Sequence, residues 1–445
     1  MTAPVAAEGR KLGPVLATVI VAGNMIGSGI YLLPASLGAI GSISLVGWVI
    51  AAAGALVLAG AFAALARLRP QDDGLVAYVR AGLGPFAGFQ AGWLFWVGCL
   101  IGNVAIALAV TGYAAYFVPA LKTPAGSAAA TMAVIWLITL AALLGPRAVG
   151  RMGAATLALG LAPILLVAVG GWIWFEPAIF EASWNVSGRS APAAVQTAVV
   201  SVFWAFLGLE SASACAAVVR NPRRNIPIAV IGGVTLAAAV YIAAVAAIMG
   251  IVPAVELEAS TAPFALVVQR VLGGAAGALI AACALLKASG TLAGWMLVAG
   301  QIMRAAADQG LFPAWLATSR ADGTPVRSLL VLAGLMSGVA ILSVQPTLGA
   351  QFGVLANASV VLTLAIYILC VAAIWRFSRK AGLLALAAAA IAFSVAAALM
   401  SGWTMLAMTA GVAALGAAIW RLSPRRPTGG AATPPRAPDG SAPRS

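Results

Sequence analysis

Twelve apolar runs, most near 20 residues or longer, are separated by short polar links in this 445-residue chain. A helix needs roughly 20 apolar residues to cross about 30 Å of hydrocarbon. The runs lie at about 13–36, 43–67, 86–118, 126–144, 152–175, 193–219, 226–252, 266–304, 326–344, 352–376, 383–400 and 402–421. Several exceed the minimum, which permits tilt but fixes no angle. Only 8% of the residues are charged and 63% are apolar, against about a quarter charged in a soluble domain. The expected fold is an all-α integral membrane protein with twelve transmembrane helices. A nucleic-acid-binding domain, a disordered chain and an ordinary soluble enzyme are all excluded by this balance.

The formal charge of +14 does not form a basic binding patch. Arg10 and Lys11 precede the first run, Arg67, Arg69 and Arg80 follow the second, and Arg147 and Arg151 follow the fourth. Arg220, Arg223 and Arg224, then Arg304, Arg320 and Arg327, then Arg376, Arg379 and Lys380 continue the series into an arginine-bearing tail. The alternate loops hold Lys122, Arg189 and Arg270 together with Glu176, Glu181, Glu256 and Glu258. Cytoplasmic loops collect Lys and Arg, so both termini are expected in the cytoplasm, as an even number of spans requires. Residues 1–12 form the cytoplasmic N-terminus, 13–421 the transporter-sized domain, and the Pro-, Gly- and Arg-rich stretch 422–445 a disordered cytoplasmic tail. The first run belongs to the core and no cleavable signal peptide is expected.

Chemistry is scarce. The chain has no histidine, which removes His-based acid/base pairs and His-ligated metals. Cys99, Cys215, Cys283 and Cys370 all lie in apolar stretches without short metal-type spacing and read as small core residues. No metal or cofactor is expected.

Two runs carry interruptions. The first contains Gly23-Asn24-Met25-Ile26-Gly27-Ser28-Gly29, where glycines lower helix propensity. Backbone freed at mid-membrane depth is tolerated only where it lines a cavity or is buried in protein. A plain helix-packing motif of small residues is the competing reading. The sixth run contains Trp204-Ala205-Phe206-Leu207-Gly208-Leu209-Glu210-Ser211-Ala212-Ser213, with a glycine two residues from a mid-span carboxylate. Interruptions in spans one and six predict a 5+5 inverted repeat with broken helices 1 and 6, plus two extra helices. The first repeat would cover about 13–175, the second about 193–376 and the extra spans 383–421. Helix N-termini suit a carboxylate and freed carbonyls suit an ammonium, which together describe an amino-acid site.

These motifs, with Asn221-Pro222-Arg223-Arg224-Asn225-Ile226-Pro227, Gly294-Trp295, Ala299-Gly300-Gln301 and Ala305-Ala306-Ala307-Asp308-Gln309-Gly310-Leu311-Phe312-Pro313, carry a family resemblance. From about residue 12 to 421 the chain resembles the basic amino acid/polyamine antiporters of the amino acid–polyamine–organocation superfamily. The arginine/agmatine exchangers are most similar, with the ornithine/putrescine and lysine/cadaverine exchangers next. The resemblance implies alternating access in a bacterial-type inner membrane, with amino acids and amines as substrates, the bilayer as surroundings and no nucleic acid as partner. A homodimer is left open.

By the same resemblance, Ser28 and Gly29 would hold the substrate carboxylate, and the carbonyls of Met25, Trp204 and Leu207 its α-amine. Gly98, Cys99, Asn103 and Ser359 would receive the distal group, with Ile106 as an apolar wall. Trp295 would face the stem or distal cation. Trp204 would gate the site and Glu210 would be a proton-sensitive or coupling group. Without the resemblance, Trp204 and Trp295 are two of 13 tryptophans, Cys99 and Ser359 are ordinary helix-contact residues, and Asn103 is an interhelical hydrogen-bonding group. Glu210 differs, because an intramembrane carboxylate is costly.

The pocket departs from the arginine/agmatine pattern at four positions. Phe95 replaces a tyrosine, Gly98 an alanine, Leu100 a tryptophan and Ile106 a methionine. Lys287 lies inside span eight, about 12 Å along the axis from Trp295 and rotated by roughly 80°. A lysine so deep must pair, deprotonate or line water; a salt bridge or carbonyl contact competes with a role in coupling. The leading expectation is exchange of a cationic amino acid for its decarboxylated amine, which exports one positive charge per cycle. The alternative is proton-coupled or exchange transport of neutral or aromatic amino acids, motivated by Lys287, Phe95 and Leu100. A channel or a membrane-embedded enzyme fits less well, since no ring of charges or clustered acid/base groups is present.

Overall fold

Residues 13–423 are described by the computed structural model, apart from positions 28, 73, 211–218 and 220 and the side chains of Ile20, Asn24, Pro222 and Arg223. The expected termini 1–12 and 424–445, together with Ser28 and Cys215, lie outside the described residues. In chain order the helices are α1 (Pro14–Met25), α2 (Gly29–Gly38), α3 (Ser44–Leu68), α4 (Gly74–Leu83) and α5 (Pro85–Phe117). Next come α6 (Pro124–Ala142), α7 (Pro146–Leu165), α8 (Pro177–Ala182), α9 (Ala191–Phe203) and α10 (Pro222–Ile251). Then follow α11 (Ala254–Ala259), α12 (Pro263–Leu272), α13 (Gly274–Asp308), α14 (Val326–Leu342) and α15 (Leu348–Ala372). The short α16 (Ile374–Phe377) leads into α17 (Ala381–Met400) and α18 (Trp403–Leu422).

Among the described residues, nine helices are long and apolar enough to cross a membrane. The other three expected spans are the interrupted pair α1 and α2, the run Ala191–Phe206, and the 17-residue α14. The all-α twelve-span architecture therefore holds, with spans one and six made of the interrupted segments. No strand occurs among the described residues.

Two boundaries differ from the hydropathy pattern. The run 266–304 is two helices, because Gly273 turns the chain at φ +89° between α12 and α13. Span six is regular only to Phe206, after which Leu207 is extended and Gly208 takes φ +96°. Apolar composition does not distinguish a bend from a continuous helix, so neither boundary shows in a hydropathy reading.

A structural repeat emerges at the first of these bends. In the first half the ten-residue α4 joins the long α5 through Gly84 at φ +94°. The second half does the same, joining the ten-residue α12 to α13 through Gly273. The junction sequences are Leu83-Gly84-Pro85-Phe86-Ala87-Gly88 and Leu272-Gly273-Gly274-Ala275-Ala276-Gly277. A side chain at Gly88 would strike Arg80, and one at Gly277 would strike Gln269, each eight positions back. Both long helices thus fold back onto their short partners at a residue lacking a Cβ.

The bundle core is built on α5, which packs against α13 and α15. Large apolar side chains such as Leu137, Leu140, Ile173, Leu342 and Trp403 face outward. That outward apolar surface suits lipid, which rewards it as readily as a core does. On one end of the bundle, Ser42 N–H and Ile43 N–H donate to the carbonyls of Ser183 and Trp184. Ala254 N–H donates to Ser183 Oγ on the same end. On the other end, Arg320 donates to the Leu143 carbonyl and Gln301 to the Gly323 carbonyl. The loops near residues 42, 183 and 254 thus contact one another, as do those near 143 and 320.

Nothing lies within 4 Å of a Cβ built at Gly84 or Gly273, so only the left-handed backbone opposes a side chain there. Replacing either by Ala should cost about 1–2 kcal/mol. The two costs should add, as the junctions lie in different halves. The thermal midpoint of the detergent-purified protein measures this, and an unchanged midpoint for both variants would contradict it.

Candidate functional site

Both interruptions face one cavity. The α1 helix ends at Met25, and Ile26 leaves helical geometry at ψ 69° before α2 begins at Gly29. The Met25 carbonyl accepts the Tyr241 hydroxyl at 2.6 Å and the Gly27 N–H at 2.7 Å. Both of its lone pairs are thereby engaged, and the break is pinned to α10. The second interruption follows the 3-10 turn Trp204–Phe206; the Trp204 carbonyl accepts only the Leu207 N–H, at 3.2 Å, among the described residues.

The cavity, about 90 Å³ in volume, is lined by backbone from both breaks and by side chains of α5, α13 and α15. Of the residues expected at the site, Met25, Gly29, Gly98, Cys99, Asn103, Ile106, Trp204, Leu207, Glu210, Trp295 and Ser359 all line it. Phe95 does so too. Ser28 lies outside the described residues. Lys287 is buried but does not line the cavity.

Asn103 is the most informative of these. It is 1% exposed, and neither its amide nitrogen nor its oxygen has a hydrogen-bond partner among the described residues. A buried amide left unmatched costs about 1–3 kcal/mol, so at a cavity wall it calls for a polar partner, water or solute. Around it, Ser359 Oγ donates to the Gly98 carbonyl at 3.0 Å and Thr363 Oγ1 to the Ser359 carbonyl at 2.8 Å. Those hydroxyl oxygens keep acceptor capacity toward the cavity.

Trp204 lies directly on the first break. A methyl built on Gly29 would come within 2.5 Å of the indole Nε1. On the other side, a methyl on Gly102 would approach the same ring at 3.2 Å and Ser359 Oγ at 3.3 Å. The indole also meets the Phe352 ring edge to face, with centroids 6.0 Å apart. The expected gate therefore occupies a slot that only glycines leave open.

Glu210 accepts a hydrogen bond from the Tyr367 hydroxyl. Tyr367 was not among the expected residues, nor were Thr291, Thr363 and Gly102 at the cavity wall or Tyr241 behind the break. One signal was available: Ser359, Thr363 and Tyr367 recur every four residues and share a face of α15. Similarly, Thr291 stands one turn from Trp295 on α13, and its hydroxyl donates to the Lys287 carbonyl at 3.0 Å.

The side chain of Lys287 runs over α7. A Cβ at Gly160 would overlap the Lys287 stem, and the Gly160 carbonyl accepts the Tyr31 hydroxyl from α2. The ion pairs among the described residues are Arg69–Asp72, Arg270–Glu256 and Arg304–Asp308, none of which involves Lys287. A salt bridge is thus not how these residues accommodate its charge.

A central cavity between two interrupted helices, in a twelve-span inverted-repeat bundle, defines a membrane transporter that moves a small polar solute; it is not an enzyme. The amino acid permease family model matches residues 12–424. "Putrescine transporter PotE" of Escherichia coli (strain K12) is 36% identical over 368 residues, covering 83% of this chain and 84% of the relative. The "Cadaverine/lysine antiporter" of the same strain is 37% identical over 363 residues, 80% of this chain and 82% of the relative. "Putrescine transporter PotE" of Haemophilus influenzae (strain ATCC 51907 / DSM 11121 / KW20 / Rd) is 34% identical over 368 residues, 83% and 85% of the two chains. The chain belongs to the amino acid permease family, in its basic amino acid/polyamine antiporter branch.

Gly29→Ala should force Trp204 out of its slot. Equilibrium binding of substrate, measured by calorimetry on protein whose elution profile is unchanged, should weaken by roughly tenfold or more, the equivalent of about 1.4 kcal/mol. Wild-type affinity in a folded Gly29→Ala variant would show that the slot is not used.

Proposed function

We propose that this chain exchanges a cationic amino acid for its decarboxylated amine, with arginine and agmatine as the pair read from the pocket residues. The observation that carries the proposal is Asn103, a cavity-wall residue whose buried amide has neither polar atom partnered among the described residues. An amide offers a donor and an acceptor for a distal guanidinium or ammonium and its surroundings. Trp295 on the same cavity presents an aromatic face to that cation. The start of α2 at Gly29, with Ser28 before it, offers N–H groups to the carboxylate. The carbonyls of Trp204 and Leu207 receive the α-amine, while the Met25 carbonyl, already bonded twice, fixes the shape of the site. Trp204 is the gate and Glu210, held by Tyr367, the coupling carboxylate. The excess of Lys and Arg on one set of loops supports a bacterial inner-membrane orientation with both termini in the cytoplasm. The names of the relatives support a diamine as one of the two substrates.

Proteoliposomes loaded with agmatine should accumulate labelled arginine, and empty vesicles should not. Lysine against cadaverine and ornithine against putrescine, run in parallel, decide the pair. Absence of counterflow with all three would reject the exchange. Asn103→Ala should raise the half-saturating concentration about tenfold, as loss of a hydrogen bond to a charged group predicts.

Lys287 favours a second reading, proton-coupled or exchange transport of a neutral or aromatic amino acid. It is a buried cation outside every described ion pair, on the helix that also carries Trp295. Unloaded vesicles with an acid exterior would then accumulate neutral amino acid, and Lys287→Ala should abolish that dependence on pH. Uptake and pH profile both unchanged in Lys287→Ala would remove the lysine from the mechanism.

A further inference from the structure

A second cavity, of about 240 Å³, opens beyond the gate. Its wall includes Ser201, one helical turn before Trp204, and Gly353, the neighbour of Phe352. Trp204, which lines the central cavity, packs edge to face on Phe352, so the two cavities are walled by adjoining parts of the same two segments. A solute passing the gate on this side enters the outer cavity next.

Two opposite charges line it, Arg189 and Glu258. Both sit on backbone that the fold holds in place. Asn185 Nδ2 donates to the Arg189 carbonyl at 2.9 Å, and the Arg189 N–H donates to Ser187 Oγ at 3.2 Å. The loop before it is tied to residues 40–43 by the bonds from Ser42 and Ile43 and by Val186 N–H to the Ile40 carbonyl. Glu258 rides on α11, whose first N–H is bonded to Ser183 of that same loop. The two charges are thus positioned relative to one another by a shared anchor.

Neither charge is neutralised by another described residue. Among the described residues, Glu256 pairs with Arg270, whereas Glu258 enters no ion pair. The Arg189 guanidinium makes one hydrogen bond among them, to Thr197 Oγ1 at 3.3 Å. A guanidinium has five N–H donors, so a fork remains for a carboxylate.

We propose that the outer cavity is a recognition site for the free amino acid, with its carboxylate on Arg189 and an ammonium or guanidinium on Glu258. The proposal rests on the exchange reading above and adds a source of direction to it. The decarboxylated amine has no group for Arg189 and carries net positive charge that Arg189 repels. The cavity therefore retains the amino acid and releases the amine, on the face from which the amino acid is to enter. Both charges are solvent-exposed, so their attraction is screened by salt and acts mainly on capture.

Right-side-out vesicles test this with labelled arginine outside and agmatine inside, and with the two exchanged, or with whichever pair the wild-type protein exchanges. At low ionic strength, Arg189→Gln should raise the half-saturating concentration of external amino acid about three- to tenfold. It should leave that of external amine unchanged or lower it. Arg189→Lys should restore most of the preference, and 0.5 M salt should remove it from the wild type. Glu258→Gln should weaken both substrates. A misfolded variant would lower the maximal rate for both substrates without altering the ratio of their half-saturating concentrations. If Arg189→Gln moves both substrates alike or neither, or Glu258→Gln moves neither, the outer site is wrong while exchange itself stands. If the wild type exchanges no pair, the underlying reading fails first.

Discussion

Every backbone N–H and C=O placed in hydrocarbon must find a partner within the protein, and this demand shapes the whole bundle. Continuous helices meet it internally. An interrupted helix cannot, and its freed groups must be answered by neighbouring side chains or by a ligand. At the first interruption Tyr241 and the Gly27 N–H take up the Met25 carbonyl. At the second, the chain is extended at Leu207 and turns at Gly208. Both therefore open onto the same cavity, where in the proposed exchange polar solute would replace the missing backbone partners. The carrier's specificity for polar substrates follows from the requirement that makes such breaks rare.

Trp204, the proposed gate, illustrates how little side chain this design needs. Trp204 is held between Gly29 and Gly102, with Phe352 at its edge. Glycines at these positions leave room for the two edges of the indole, so the proposed barrier is a single aromatic side chain. Its displacement requires no repacking of large neighbours on those two sides. Close packing elsewhere in the core remains undisturbed, which matters because small volume changes in a packed interior are costly.

Much of this was legible in the residues. Lengths of apolar sequence located the spans, since the bilayer sets a thickness that composition must match. Gly27 with Gly29, and Gly208 beside Glu210, marked the interruptions because local propensity carries that information. The wall residues Cys99, Asn103, Trp295 and Ser359 were reached through the family resemblance and do converge on the cavity. The bend at Gly273 was hidden, because α12 is apolar enough to read as the start of span eight. Tyr241 and Tyr367 were hidden for another reason: their partners are 216 and 157 residues away in the chain. Nothing in local pattern reports on such contacts. The repeat was too diverged in sequence to see, yet it survives as a shared junction of short helix, left-handed glycine and long helix.

Gly160 carries a consequence out of proportion to its size. Its carbonyl takes the Tyr31 hydroxyl of α2, and the space where its side chain would be is filled by the Lys287 stem from α13. Three helices from both halves of the molecule therefore meet at one residue of α7. Alternating access demands that the halves slide or rock past one another, and at this point independent movement would cost the contacts they share. Any displacement of α2 along α7 must part a hydrogen bond, and any displacement of α13 must draw the lysine across a groove cut to its width. Gly160 is thus a point where α2, α7 and α13 share one set of contacts, and a side chain there would displace the lysine stem.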